Sequence, residues 1–481
     1  MQPPGPSPVR LLAGWLPRQR WFGGKDGPID EITIGTATEL RTGDPALTHL
    51  VLDVRQHTAI DHYQLLLGTR RHLPDRLRHA EIGPVTAPDG GTDHLYDAAF
   101  DPELTRPLLA HMAAEATVGP LRFRRAPGAG IRTDLDGAPI SAEQSNTSLD
   151  FGGTHMCKLF RRLPPGVNPD LEVNLALSRE GGSHVPAVHG WIELEPRAPG
   201  AEPVTLALLS EFLRGAADGW SLALTSVRDW FAQPVPPGPA ASGTSTGTGT
   251  GTLDAGAAGG DFAAEAERLG TATAEVHRDL ARAFGVGTAS PAQLRALARG
   301  MDEQLDQVGA AVPELRPHAA AIHRAFAGLE AGAGPHPLQR VHGDFHLGQV
   351  LRTDNGWILL DFEGEPARTP AERRAPAHPL RDVAGMLRSF EYAARFLITG
   401  DGSPDPETAA ALELRARAWA ERNRAAFCRG YAAAGGHDPA AHADLVRAFE
   451  LDKAVYEIRY EARNRPAWLP VPLGSLARLA G

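Results

Sequence analysis

The spacing of apolar positions changes partway along the chain. In the first hundred residues, apolar runs such as Thr48 to Val54 and His62 to Leu67 are cut short by Gly, Pro and Asp, a pattern that predicts short strands. A second strand pattern starts at Ile140. Thr147 to Phe151 and Thr154 to Phe160 flank Gly152-Gly153, which predicts a hairpin, and Thr205 to Leu213 predicts another strand. Beyond residue 260 the period becomes three to four. Phe262 to Leu280, Pro291 to Val308, Glu407 to Ala434 (stopped by Gly435-Gly436) and Ala440 to Arg463 predict helices. Between the two regimes, Gln233 to Gly260 is Pro, then Gly-Thr repeats, then Gly and Ala. It has almost nothing to bury and predicts a disordered loop. Strands followed by helices predict an α+β, bilobal protein: a β-rich segment at 1–100, a second β-rich segment at 101–213 and a helical lobe at 214–481.

A chain of 481 residues is too long for one core, in keeping with more than one unit. Hydrophobic residues make up 42% and charged residues 22%, the mix of an ordinary globular protein. The net charge of −10 disfavours adhesion to polyanions, so neither nucleic acid nor an anionic membrane is an expected partner. No apolar run approaches 18 residues and no signal-peptide core follows the start, which predicts a cytoplasmic protein. Cys157 and Cys428 stand far apart without a zinc-type spacing and read as reduced thiols.

The densest polar cluster is Val341-His342-Gly343-Asp344-Phe345-His346-Leu347-Gly348-Gln349-Val350-Leu351, followed by Trp357 to Glu365. Short apolar strands near Val350 and at Ile358 to Leu360 are joined by Thr353-Asp354-Asn355-Gly356, a hairpin signal. Asp344 precedes the first strand and Asp361 ends the second, so a hairpin brings both carboxylates to one edge beside Gln349. Phosphoryl transfer needs this equipment: one carboxylate to take a hydroxyl proton, another with an amide oxygen to hold Mg²⁺ on nucleotide phosphates. Asp344 is therefore the expected base, and Asp361 and Gln349 the expected metal ligands. A lone Asp beside a hairpin usually caps a turn. The ordered set of His, Asp, amide and Asp is what separates this segment from that plainer reading.

These residues resemble the aminoglycoside-phosphotransferase and choline-kinase group, whose loop reads His-Gly-Asp-x-His-x-x-Asn. Gln349 stands where that group has Asn. The resemblance implies a protein-kinase-like bilobal fold using ATP and Mg²⁺. Lys158, in Met156-Cys157-Lys158-Leu159-Phe160, would then be the strand lysine that reaches the phosphates, with Glu172 opening the next helix as its partner. No Gly-x-Gly-x-x-Gly precedes Lys158. The phosphate-covering turn is expected in Glu143-Gln144-Ser145-Asn146-Thr147-Ser148, where hydroxyls and amides can donate to phosphate oxygens. Glu211 and Phe212 are the expected hinge that offers backbone groups to adenine.

A narrower resemblance runs through Asp361-Phe362-Glu363-Gly364-Glu365-Pro366, Pro379 to Tyr392, Glu450 to Glu457 and Tyr460 to Pro470, together with Arg18 to Phe22. These stretches are similar to the actinobacterial maltokinases. That resemblance implies an N-terminal cap domain, and phosphorylation of maltose to α-maltose 1-phosphate for α-glucan and glycogen synthesis from trehalose. It also implies a monomer and an association with a trehalose synthase. Tyr460, Trp468, Arg463, Arg465 and Glu461 could supply an aromatic platform and hydroxyl partners, although such side chains on a helix often only pack. His342, His346, Glu363, Asp382 and Arg388 complete the expected acceptor-side set, with support of the metal loop as the alternative for Asp382. The rival acceptor is another sugar or amino sugar, as in a glucosamine kinase. A rival of a different class is a nucleotide-binding module without catalysis.

Overall fold

The computed structural model describes residues 7–25, 27–140, 145–196, 198–233, 261–331, 336–365, 368–399 and 405–480. The expected Gly-Thr loop lies, apart from Gln233, outside the described residues. The chain divides into two compact units, one of residues 1–178 and 186–214, the other of 179–185 and 215–481.

The first unit begins with a helix, Pro8–Trp15, capped by the Ser7 side chain. A five-stranded antiparallel sheet follows, with β1 (Glu31–Arg41), β2 (Ala46–Gln56), β3 (Ala59–Arg70), β4 (Glu81–Thr86) and β5 (Thr92–Asp97) in the order β1-β2-β3-β5-β4. The alternation of β2 explains why both faces are covered. Leu50, Leu52 and Val54 point into one cluster with Trp15, Phe22 and Tyr63, while Leu47 and Val51 point into another. The second cluster is shared with a seven-stranded sheet: β6 (Thr117–Val118), β7 (Leu121–Arg125), β8 (Gly137–Pro139), β9 (Thr147–Phe151), β10 (His155–Leu159), β11 (Val188–Leu194) and β12 (Val204–Glu211). Its order is β6-β7-β11-β12-β10-β9-β8.

Polar ties fix the two sheets together within this unit. Gln64 of β3 donates to the Phe160 carbonyl at 2.9 Å and accepts on its side-chain oxygen from buried His49 at 3.0 Å. Arg161, 1% exposed, pairs with fully buried Asp97 at 2.6 Å and lies over the Trp21 ring. Removing one partner of such a pair strands a buried charge, so this bridge fixes the junction rather than merely decorating it.

In the second unit the predicted hairpin is present as Val350–Thr353 and Gly356–Leu359, with Val350 opposite Leu359 and Thr353 opposite Gly356. Its back is covered by buried Trp357, whose indole N–H donates to the Glu265 carbonyl at 3.1 Å. The long helices Ala263–Phe284 and Pro406–Ala433 cross closely enough that a Cβ on Gly270 would fall 2.1 Å from the Phe427 carbonyl oxygen. A Cβ on Gly430 would fall 1.9 Å from that of Glu267, so both positions require glycine. The short segment 179–185 belongs here because His184 joins it to the hairpin. Its Nδ1 lies 2.8 Å from the Trp357 carbonyl, its Nε2 2.6 Å from Glu275, and its own carbonyl accepts from the Leu359 N–H at 2.8 Å.

The helix Leu380–Arg395 is absent from the sequence expectations, although Leu380, Val383, Leu387, Phe390 and Ala394 recur at three- and four-residue spacing. Asp382, Arg388, Glu391 and Arg395 are all buried in it, because each charge finds a partner inside the unit. No described helix is long and apolar enough to cross a membrane.

Candidate active site

In the second unit the loop from Val341 to Gln349 is held from behind by the helix Leu380–Arg395. Gly385 permits the approach, since a Cβ there would lie 2.7 Å from the Phe345 carbonyl oxygen. Asp382, at the start of that helix and 2% exposed, accepts the backbone N–H of His342 at 2.7 Å and of Gly343 at 2.9 Å. His277 Nε2 lies 2.9 Å from the same carboxylate, and His277 Nδ1 lies 2.9 Å from the Tyr431 hydroxyl. Burial alone would push the Asp382 carboxyl up. The hydrogen bond from His277, with the neighbouring imidazoles and the Gly343 amide, holds it below its ordinary value.

His342 is also buried. Its Nε2 donates to the Leu360 carbonyl at 2.8 Å and its ring packs against Phe345 and Phe362. This contact joins the base of the loop to the residue before Asp361. Asp361 itself has φ +62°, a left-handed conformation uncommon outside glycine, held in place by the hairpin. The Gln349 amide donates to Asp361 Oδ2 at 3.1 Å. Glu363 presents a carboxylate oxygen within 4.8 Å of one on Asp361. Two carboxylates and an amide form a hard oxygen donor set of the kind Mg²⁺ takes. Because the Gln349 nitrogen faces Asp361, sharing an ion would require that amide to turn over.

Asp344 is half-buried at the mouth of the loop. Its Oδ1 accepts from Lys453 Nζ at 3.1 Å, and Lys453 also reaches Glu365 Oε1 at 2.6 Å. Lys453 belongs to the helix Ala443–Asn464 and lies over the Tyr456 ring at 4.8 Å. Burial disfavours the ammonium, but Asp344 and Glu365 outweigh it and raise its pKa. Burial likewise pushes the Glu365 carboxyl up, yet Lys453 and Arg368 hold it at about 2. Sequence reading missed Lys453. It lies 109 positions from Asp344, and nothing in its local pattern marks it.

A cavity of about 440 Å³ opens in front of Asp344, His346 and Lys453. Its walls carry Trp220, Tyr392, Phe396, Tyr456, Tyr460 and Trp468, with Glu457, Glu461 and Arg465. Of the expected acceptor-side residues, His346, Tyr460, Glu461, Arg465 and Trp468 line this cavity. Arg463 does not, nor do four others, for which the expectation is corrected. Arg388 is 1% exposed and bound to Glu457 at 2.6 Å. Asp382 and His342 are buried behind the loop, and Glu363 sits beside Asp361. Arg388, Asp382 and His342 are held by protein partners, so their polarity did not imply access to a ligand, while Glu363 faces Asp361 rather than the cavity. Each carboxylate of the cavity wall is itself paired: Asp344 with Lys453, Glu457 with Arg388, Glu461 with Arg465 at 2.6 Å.

In the first unit Lys158 lies on β10 with its Nζ 3.2 Å from Asp170 Oδ2. Asp170 is buried at the start of the helix Pro169–Arg179, two residues before the expected partner Glu172. Ser148 sits directly opposite Lys158 on β9. The expected phosphate turn is shorter than read: Thr147 and Ser148 are buried strand residues, and Thr147 Oγ1 accepts from Arg161 at 2.8 Å. Ser145 and Asn146 lead into that strand, whereas Glu143 and Gln144 lie outside the described residues. The hinge expectation also needs correction. The Glu211 amide donates to the Ala187 carbonyl at 2.8 Å and the Phe212 amide to the Thr154 carbonyl at 3.1 Å. Both donors serve the sheet, which leaves only carbonyls there for a base.

Residues 15–101 match the maltokinase N-terminal cap domain, and residues 248–437 match the phosphotransferase enzyme family. A glucosamine kinase of Streptacidiphilus jiangxiensis is 33% identical over 356 residues, 71% of this chain and 72% of its own. A glucosamine kinase of Mycolicibacterium smegmatis (strain ATCC 700084 / mc(2)155) is 29% identical over 71% of this chain and 79% of its own. A solved glucosamine kinase in complex with glucosamine, ADP and inorganic phosphate is 25% identical over 98% of this chain and 99% of that one, with TM-score 0.64. These relatives are named for glucosamine rather than maltose, which narrows the resemblance to the kinase-like group and its cap. The chain belongs to the phosphotransferase enzyme family and carries a maltokinase-type cap at its N-terminal end.

Proposed function

We propose that the protein transfers the γ-phosphate of ATP to a hydroxyl of a sugar, with maltose as acceptor and α-maltose 1-phosphate as product. The observation that carries this reading is the aromatic cavity that ends on Asp344. Six aromatic side chains line it, as sugar rings require, and its volume of about 440 Å³ suits a small saccharide. Its carboxylates already have cationic partners, which favours a neutral sugar over an ammonium-bearing one.

In this reading Asp344 accepts the acceptor's hydroxyl proton on Oδ2 as the oxygen attacks the γ-phosphorus and ADP leaves with the bond's electron pair. Asp361, Glu363 and Gln349 would hold Mg²⁺, which neutralises phosphate charge when bound. Lys158, steadied by Asp170, is assigned to the nucleotide phosphates. Synthesis of α-glucan from trehalose would be the metabolic setting.

Glucosamine is the second reading, supported by the names of the relatives. The deciding experiment follows ADP release by the purified protein with ATP, Mg²⁺ and either maltose, glucosamine, glucose or no sugar. Product mass and ³¹P NMR would identify the phosphorylated position. Sugar-dependent turnover highest with maltose, at the anomeric oxygen, is the expected result. Turnover confined to glucosamine would transfer the assignment to that sugar, and no sugar-dependent turnover would favour a non-catalytic nucleotide-binding module.

A further inference from the structure

Three distant chain segments meet at Asp344: the catalytic loop itself, Glu365 beyond the hairpin, and Lys453 on the helix Ala443–Asn464. We infer that Lys453 is a positioning residue for phosphoryl transfer, pinning Asp344 by Oδ1 so that Oδ2 is presented to the acceptor. This inference rests on the kinase reading above.

The geometry carries it. Lys453 Nζ spans the two carboxylates, 3.1 Å from Asp344 Oδ1 and 2.6 Å from Glu365 Oε1. Arg368 holds Glu365 from its other side at 2.7 Å. A lone Lys–Asp contact at a cavity mouth would leave the long lysine side chain and the carboxylate free to rotate, at little energetic gain. Here the ammonium is anchored by a buried carboxylate and by the Tyr456 face, so its position is set before any ligand arrives. Lys453 and Asp344 both line the acceptor cavity, while Glu365 does not. The ammonium therefore touches the base from the side away from its own anchor. With one oxygen fixed, the carboxylate keeps a single free oxygen and a single orientation for the incoming hydroxyl. During transfer the hydroxyl proton moves to Oδ2, and the Lys453 charge stays balanced by Glu365 as Asp344 becomes neutral.

A purely structural salt bridge makes a different prediction, and a set of substitutions separates the two. K453M leaves buried Glu365 with Arg368 as its remaining cationic partner and should lower Tm as well as kcat. The double variant K453M/E365Q removes both charges, so Tm should recover. If Lys453 positions the base, kcat in the double variant stays at least about a hundredfold below wild type while KM for ATP changes less than about threefold. K453R, which can still bridge two carboxylates, should regain about a tenth or more of the rate. Turnover is read both with sugar and as ATP hydrolysis with water as acceptor. A wild-type protein that never responds to sugar would sink the sugar reading, and the loss in slow hydrolysis would still report on Lys453. Recovery of kcat along with Tm in the double variant, or wild-type kcat in K453M, would overturn the positioning role.

Discussion

Asp382 accepts two consecutive backbone amides, those of His342 and Gly343, and thereby holds the turn that presents Asp344. The contact is made by a carboxylate with both oxygens engaged, buried at the end of a helix whose Gly385 lies against the same loop. Replacing it by Ala should strand both amides. We expect D382A to lose about 2–4 kcal/mol of stability, read from denaturant midpoints, and to lose turnover further than stability alone explains.

Asp344 in the role of base makes a simpler prediction. D344N keeps the size and one hydrogen bond to Lys453 but cannot accept a proton. Its kcat should fall by about 10²–10⁴-fold, with ADP affinity by calorimetry changed less than about threefold. Wild-type kcat in this variant would remove Asp344 from the chemistry.

Asp361 adopts a left-handed backbone that Asn tolerates well. D361N should therefore melt within a few degrees of wild type, yet lose the thermal upshift that Mg²⁺ with ADP gives the native protein. Turnover should fall by about a hundredfold or more. A variant that keeps the magnesium response would place the ion elsewhere.

The Glu365 carboxyl sits at about 2 against an ordinary value of 4.5, because Lys453 and Arg368 outweigh its burial. A lowered folded value stabilises the folded state above the unfolded value and is lost as pH falls. About 3 kcal/mol should be present above pH 4.5 and drain away toward pH 2. E365Q should flatten that part of the stability profile between pH 4.5 and 3, measured by denaturant unfolding at each pH. An unchanged slope would show that Lys453 and Arg368 do not hold this carboxylate.

The part of the site that a reader could find in the sequence is the part that is local. Gln349 and Asp361 flank one hairpin whose turn and strands follow from short-range rules, so their contact was foreseeable. The strand position of Lys158 was legible for the same reason, on the hairpin around Gly152-Gly153. The strand-to-helix order and four of the helices were also readable from period. What was not readable depends on burial of charge. Arg388 and Asp382 carry the polarity of ligand contacts, yet each is consumed by a protein partner that only packing brings near. The helix containing them does carry an apolar stripe, Leu380, Val383, Leu387, Phe390 and Ala394, so its existence, unlike its buried charges, was open to period. Lys453 and His277 act through contacts spanning 109 and 105 positions, for which no periodic pattern exists. The hinge was narrowed differently: the amides of Glu211 and Phe212 have sheet partners that a strand assignment alone does not name.

The placement of His184 has a consequence for how this protein is made. Residues 179–185 leave the ribosome long before Glu275, Trp357 and Leu359, the three positions that His184 binds. During synthesis the first unit must therefore close around a gap at 178–186 whose contents wait for more than 170 further residues. A gene cut at residue 214 would part that segment from its destination in both halves, so the boundary visible in space is not a place where the polypeptide can be divided.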